Sequence, residues 1–339
     1  MYESYYGLSA KPFQLKPDPR FFFGSRNHKR AMAYLQYGLS QGEGFIVITG
    51  EVGAGKTTLV RNLFRELDSA KIIAAQIVNT HLSSEDTLKM VAAAFGLPHE
   101  ESSKAILLTR IEKFLRSCDQ QGKRALLVVD EAQNLSAQTV EELRMLSNFQ
   151  SNENPLLQTF LLGQPEFRRT LLSPDMEQLR QRVIATYHLG PMDVDETRTY
   201  IMHRLHTAGW KSDPILRDAA FAAIHEFTGG IPRKINTLCD RLLLMGFLEE
   251  LHEFDHTHVE TVKKDIQEEF EHAESAMDFG ALPRQLLGLA QPLDPANVSL
   301  EQINERLAKI ERALQSMIEA LTKLLFSSKI KGLSEESNS

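Results

Sequence analysis

The residues Gly50-Glu51-Val52-Gly53-Ala54-Gly55-Lys56-Thr57-Thr58 follow the spacing G-x-x-x-x-G-K-[ST]. Glycines let the backbone curl until successive N–H groups face one anion, and a helix beginning there adds partial positive charge. In that arrangement Lys56 reaches the β- and γ-phosphates of a nucleoside triphosphate, and the Thr57 hydroxyl joins Mg2+. A second chemical group is Asp130-Glu131, which ends the apolar run Ala125-Leu126-Leu127-Val128-Val129. Asp130 would hold the magnesium through water, and Glu131 would orient and deprotonate an attacking water. Gln164 has two readings: a strand-end amide that bonds the γ-phosphate or the lytic water, or a loop glutamine before Pro165. Arg182, just ahead of the last apolar run, is placed to act as a finger on a neighbouring subunit's γ-phosphate, with Arg180 as second candidate. Arg233 lies in the opening turn of a later helix, where it could fold down onto the phosphates.

Such groups need a scaffold. Phe45–Thr49, Ile72–Val78, Ala125–Val129, Leu156–Gln164 and Val183–Leu189 are apolar-rich runs of strand length, as expected of parallel strands buried on both faces. Ligands bind outside the C-terminal ends of such strands. Ser25 is a candidate N-cap for a helix to about Ser40, and the P-loop opens the helical run Leu59–Leu67. Further helices are predicted over Leu88–Phe95, Ile106–Cys118 and about 136–149. From Pro191 the strand signal stops, and helical patterns cover about 193–208, 214–227, 232–250 and 255–270. Gly229-Gly230 would end one of these helices, and Pro232 suits the first turn of the next. The expected organisation is an α/β nucleotide-binding domain over 1–190, a helical lid over 191–270 and a linker over 271–298. Leu300, Ile303, Leu307, Ile310, Leu314, Met317, Leu321 and Leu324 then alternate in steps of three and four, a heptad seam predicting a coiled-coil helix over 299–326. An amphipathic helix docked on its own chain would show the same pattern. The tail 327–339 is polar and expected to be disordered. Residues 1–24 are rich in aromatics and prolines and should lie over a surface, where the rings either sandwich an adenine or pack into the core.

Composition narrows the class. At 339 residues with 42% hydrophobic content, the chain can bury sizeable cores without disulfide staples. Cys118 and Cys239 sit in separate helical patterns and read as buried free thiols. The net charge of −7 argues against a nucleic-acid partner for the chain as a whole. No apolar run approaches membrane-spanning length, and the first residues lack a signal-peptide pattern, so a cytoplasmic location is expected.

Several segments carry a family resemblance. Met1-Tyr2-Glu3-Ser4-Tyr5-Tyr6-Gly7-Leu8, Lys11-Pro12-Phe13, Pro17-Asp18-Pro19, His28, Ala31 and Tyr37-Gly38-Leu39 resemble the start of the general secretion pathway protein A type of AAA+ ATPase. Asp130-Glu131-Ala132-Gln133-Asn134, Gly163-Gln164-Pro165-Glu166 and Gly229-Gly230-Ile231-Pro232-Arg233-Lys234-Ile235-Asn236 extend the likeness to about residue 268. Phe22-Phe23-Gly24-Ser25-Arg26 and Gln41 to Gly50 look most like the ATPase of exosortase (PEP-CTERM) and exopolysaccharide loci. The resemblance implies an AAA+ fold with a five-stranded parallel sheet and a helical lid, ATP and Mg2+ bound between them, and subunits meeting in a homo-oligomeric ring. It implies Gln164 as sensor 1 and Arg233 as sensor 2, with Arg182 supported less directly. Secretion-pathway relatives continue into a membrane helix and a peptidoglycan-binding domain; here a linker and a heptad helix follow, so cell-wall binding does not transfer. The expected function is an ATP-hydrolysing assembly or regulatory factor for an envelope polysaccharide, protein-sorting or secretion system. It would work from the cytoplasm or at the inner membrane, docking on a membrane or envelope protein through 299–326. The alternatives are a DNA-associated ATPase similar to the target-selecting partners of transposases, and a nucleotide-gated scaffold.

Overall fold

A computed structural model describes residues 1–278 apart from Pro17, 79–83, Glu101 and 152–153. The linker beyond 278, the heptad seam over 299–326 and the tail lie outside the described residues. Met1–Lys263 forms one compact unit, and a second begins at Lys264.

After a one-turn helix α1 (Tyr2–Tyr5) and a 3-10 turn (Pro19–Phe21), α2 (Arg26–Gln41) begins at Ser25, whose hydroxyl accepts the His28 N–H as an N-cap. Then follow β1 (Phe45–Gly50), α3 (Lys56–Glu66), β2 (Ile72–Ile77), α4 (Ser84–Ala94), α5 (Lys104–Gln120), β3 (Arg124–Val129) and α6 (Ala137–Leu146). A small hairpin, β4 (Gln150–Ser151) with β5 (Asn154–Pro155), precedes β6 (Leu157–Gly163), α7 (Pro165–Leu171), α8 (Glu177–Arg180) and β7 (Val183–Leu189). The remaining elements are α9 (Val194–Thr207), β8 (Ile215–Leu216), α10 (Asp218–Thr228), α11 (Pro232–Leu248), β9 (Glu253–Phe254) and α12 (His256–Asp278).

The five apolar runs make one parallel sheet, ordered β2-β3-β6-β1-β7. Alternation along each strand fills two cores. Ile46 and Ile48 pack with Leu35, Leu59, Leu63, Val128 and Phe160 beneath α2 and α3. On the other face, Phe45 and Val47 belong to a core with Ile111 and Leu115 from α5, Leu143 from α6 and Phe167 from α7. Register pairs Thr49 with Gly163 and Gly50 with Leu189, so the strands' C-terminal ends share one edge of the sheet.

Three expectations need correction. The helix drawn to about 149 ends at Leu146, ahead of the hairpin, and the region after Pro191 does contain strand: β8 and β9 pair in parallel. Ile215 and Leu216 therefore lie outside the helix predicted from 214. Strands of two residues are too short to show alternation. The last described helix runs eight residues past 270 into the expected linker. Its extension, Glu271–Asp278, holds good helix formers, and the first breaker is Gly280.

The opening segment is a strap over the helical part. The Tyr2 hydroxyl bonds Asp240 on α11, Tyr6 donates to Leu251 O, and Ser9 donates to Ala208 O. Arg204 on α9 anchors its far end: the buried guanidinium donates to Pro12 O, Gln14 O and the Tyr200 hydroxyl, and stacks over Phe21. Arg204→Met should lower unfolding free energy by about 3 kcal/mol, because two strap carbonyls and the Tyr200 hydroxyl lose a charged donor. Urea denaturation measures it, and an unchanged midpoint would mean other contacts hold the strap.

Candidate functional site

The sheet edge that collects the strand ends carries the P-loop. Gly53 and Gly55 adopt φ of 83° and 98°, a region L-residues rarely occupy, and each is pressed by another element. A Cβ on Gly53 would lie 2.3 Å from Cβ of Arg233, and one on Gly55 would lie 2.7 Å from Nε2 of His28. The loop therefore sits between the start of α11 above and α2 below. The Arg233 N–H donates to Gly53 O at 3.2 Å, which joins the helical part directly to the loop.

Lys56 is buried, and its ammonium donates to Gly50 O at 2.6 Å and Glu51 O at 3.1 Å. Burial pushes its pKa down, opposed by the negative charges of Glu131 and Asp130. Thr57 Oγ1 donates to Asp130 Oδ2 at 2.7 Å, joining two residues 73 positions apart. A hydroxyl and a carboxylate side by side are the hard oxygen donors that Mg2+ takes, so the pair fits that ion.

Glu131 follows at φ 56°, a left-handed backbone for a residue with a Cβ and a strain of about 1–3 kcal/mol. Its Oε2 accepts from Gln133 Nε2 at 2.6 Å and from Gln164 Nε2 at 3.3 Å. Gln164, the residue after β6 and the N-cap of α7, is thus beside the Glu131 carboxylate.

These groups border a cavity of about 330 Å³. Its P-loop end is lined by Val52, Gly53, Gly55, Lys56, Thr57, Thr58, Glu131, Gln164 and Arg233, while Asp130 is tucked behind Thr57. Gly50, Glu51 and Ala54 shape the loop without lining the cavity. Arg182 is not brought to it: its Nη1 donates to Ser147 Oγ at 2.9 Å, ahead of the first residue of β7. Strand rise puts that position about 20 Å from the P-loop edge of the same chain. Arg180 is exposed and donates to Leu171 O at 3.2 Å.

The other end is apolar and aromatic, with Leu15, Phe21, Phe22 and Phe23 from the strap and Tyr200, Arg204 and Asn236 from α9 and α11. Of the aromatic segment, Tyr2, Tyr6 and Phe13 are buried, Phe21 is buried and also lines the cavity, and Phe22 and Phe23 line it while only partly covered. Arg204 donates to the Tyr200 hydroxyl, which donates to Asn236 Oδ1 at 2.8 Å, so the amide is held with its oxygen occupied. Sequence reasoning assigned no role to Tyr200, Asn236 or His28. Asn236 lies three residues after Arg233, on the same helix face, and that spacing is the signal that was available.

His28 bears on the loop from below, with Nδ1 2.7 Å from the Ser25 hydroxyl and Nε2 turned toward Gly55. Burial lowers its pKa from 6.5 to about 4, so the folded chain holds it neutral. The unfolded chain takes up the proton first as pH falls. Stability is therefore complete above pH 6.5 and declines toward pH 4, by at most about 3 kcal/mol. Denaturation at pH 7 and pH 5 should show about 2 kcal/mol of that loss, and His28→Gln should flatten it; an equal slope in the variant would mean other groups carry the dependence.

Both expected free thiols, Cys118 and Cys239, are buried and unpaired. No helix among the described residues is long and apolar enough to cross a membrane.

Comparison with known proteins bears on the fold. An AAA domain model matches residues 39–171. General secretion pathway protein A of Aeromonas hydrophila is 40% identical over 257 residues, which cover 76% of this chain and 47% of that protein. A putative ORC1-type DNA replication protein of Thermoplasma acidophilum is 35% identical over 91 residues, 26% of this chain and 25% of that one. The chain thus spans at most about half the length of these relatives. Among solved structures, the Aeropyrum pernix ORC2 protein in its ADPNP-ADP complexes superposes with a TM-score of 0.58 at 15% identity, covering 75% of this chain and 71% of that one. That likeness establishes the fold.

Proposed function

This chain has the α/β P-loop AAA+ fold and is homologous to general secretion pathway protein A, and on that premise we propose that it hydrolyses ATP to drive assembly or regulation of an envelope system. The observation that carries the reading is one cavity bordered by the P-loop, Glu131, Gln164 and Arg233, with Asp130 bonded behind Thr57. The P-loop amides and Lys56 hold the triphosphate, and Thr57 and Asp130 would hold Mg2+, which would supply positive charge against the charge on the phosphates. Glu131 takes the proton of the attacking water, Gln164 orients it, and Arg233 reads the γ-phosphate from the lid side. The aromatic end accepts the base. Arg182 or Arg180 would have to act on a second copy in a homo-oligomer, since neither reaches the cavity of its own chain.

The proposed setting is an exopolysaccharide, exosortase or secretion apparatus, with the protein in the cytoplasm or held at the inner membrane through a protein partner. The organisation proposed is the one drawn from sequence with the linker moved past α12: nucleotide domain 1–190, lid 191–278, linker 279–298, coil 299–326 and tail 327–339. Lid movement on hydrolysis would reach the partner through the coil. Phosphate release from ATP with and without Mg2+ tests the activity, and turnover indifferent to the metal would remove the assignment of Thr57 and Asp130. Deleting 299–339 should change oligomeric state or partner recovery; if light scattering and pull-down are both unmoved, the heptad helix packs on its own chain. The second reading, a DNA-associated ATPase, draws on the similarity to the ORC1-type replication protein and runs against the net charge of −7. DNA retention falling steeply with salt would favour it.

A further inference from the structure

Gln133 stands beside the proposed hydrolytic site, bonded to Glu131, and has been given no step in it. Gln133 lies on a single 3-10 turn, Ala132–Asn134, immediately after the left-handed Glu131. Its Nε2 donates to Glu131 Oε2 at 2.6 Å, and its Oε1 accepts the Gln164 backbone N–H at 3.0 Å. Gln164 Nε2 also donates to Glu131 Oε2, so three residues from two strand ends close a ring of hydrogen bonds. The two ends of the Gln133 amide face partners of opposite polarity, an acceptor and a donor. Reversing the amide would break both bonds, so its orientation is determined.

We propose that Gln133 is a positioning residue for hydrolysis, tying the Glu131 carboxylate to the end of β6 so that base and strand-end amide meet the substrate as one unit. The inference rests on the reading of Glu131 as the base. A glutamate has several rotatable bonds, and this one stands on a turn outside the sheet. A general base must hold its place to within about half an ångström, and a displacement near 1 Å can cost roughly 10²-fold in rate. Gln133 supplies the restraint, and because it also bonds the Gln164 main chain, a shift of the β6 end moves the base with it.

The test is steady-state ATP hydrolysis and equilibrium ATP binding by the full chain carrying Gln133→Met, which keeps the side-chain length and removes both polar ends. Turnover should fall about 10- to 100-fold while ATP affinity changes less than about twofold. Gln133→Glu, with the same shape and a repelling charge beside Glu131, serves if methionine disturbs folding, and it should lose at least as much. Combining Gln133→Met with Gln164→Met should cost no more than the worse single change, as for residues acting together. Unchanged turnover, a loss carried by ATP affinity, or two losses that multiply would each overturn the proposal. Glu131→Gln run in parallel separates the failures. Hydrolysis surviving in Glu131→Gln removes the base assignment and this inference with it. Glu131-dependent turnover that ignores Gln133 removes the inference alone.

Discussion

Lys56→Ala is expected to weaken ATP binding at least about 100-fold while leaving the chain folded. Its ammonium is a buried cation at the closed end of the loop, and charge-assisted bonds to phosphate are worth about 1.5–3 kcal/mol each. Losing two such bonds gives the 100-fold figure. The cost to folding is smaller. Gly50 O and Glu51 O lose a donor, but removing a cation whose pKa burial already depresses also relieves desolvation. Titration calorimetry should therefore lose the binding heat while the thermal midpoint of the unliganded protein moves by a few degrees. Wild-type affinity in the variant would remove the P-loop assignment.

Glu131→Gln should do the opposite: keep ATP and stop turnover. The glutamine oxygen can still accept from Gln133 and Gln164, so the ring of bonds around position 131 survives and only the proton acceptor is lost. General-base contributions of about 10²–10⁴ set the expected fall in turnover. Bound ATP should then persist and raise the thermal midpoint, since a ligand that binds only the folded state stabilises it. Normal hydrolysis in this variant would mean that another group takes the proton.

In the proposed site Lys56 and Glu131 meet the substrate at different places, so the two variants separate binding from chemistry, and the sequence exposes the two places unequally. Gly50–Thr58 is legible because one short stretch carries all its physics: a buried strand, two glycines at positive φ and a helix start. The unbroken apolar runs announce the parallel sheet for the same local reason, and Ser25, through its capping hydroxyl, and Gly229 and Pro232, through their backbone preferences, mark helix ends. The two-residue strands β8 and β9 escape because neither is long enough to hold a period, and α12 outruns its expected end because no breaker precedes Gly280.

What only the tertiary structure decided is who meets whom. The Thr57–Asp130 bond, the His28 ring under Gly55, the Arg233 amide on Gly53 and the Glu131–Gln133–Gln164 ring bring together groups from different strand ends and helices. Motifs supplied candidates for several of these residues, but the separation of Arg182 from its own P-loop followed only from strand register. Local sequence determines turns, caps and buried runs, because those depend on neighbours along the chain. The pairing of side chains across the sheet edge depends on how strands and helices pack, and that is settled by the folded core as a whole.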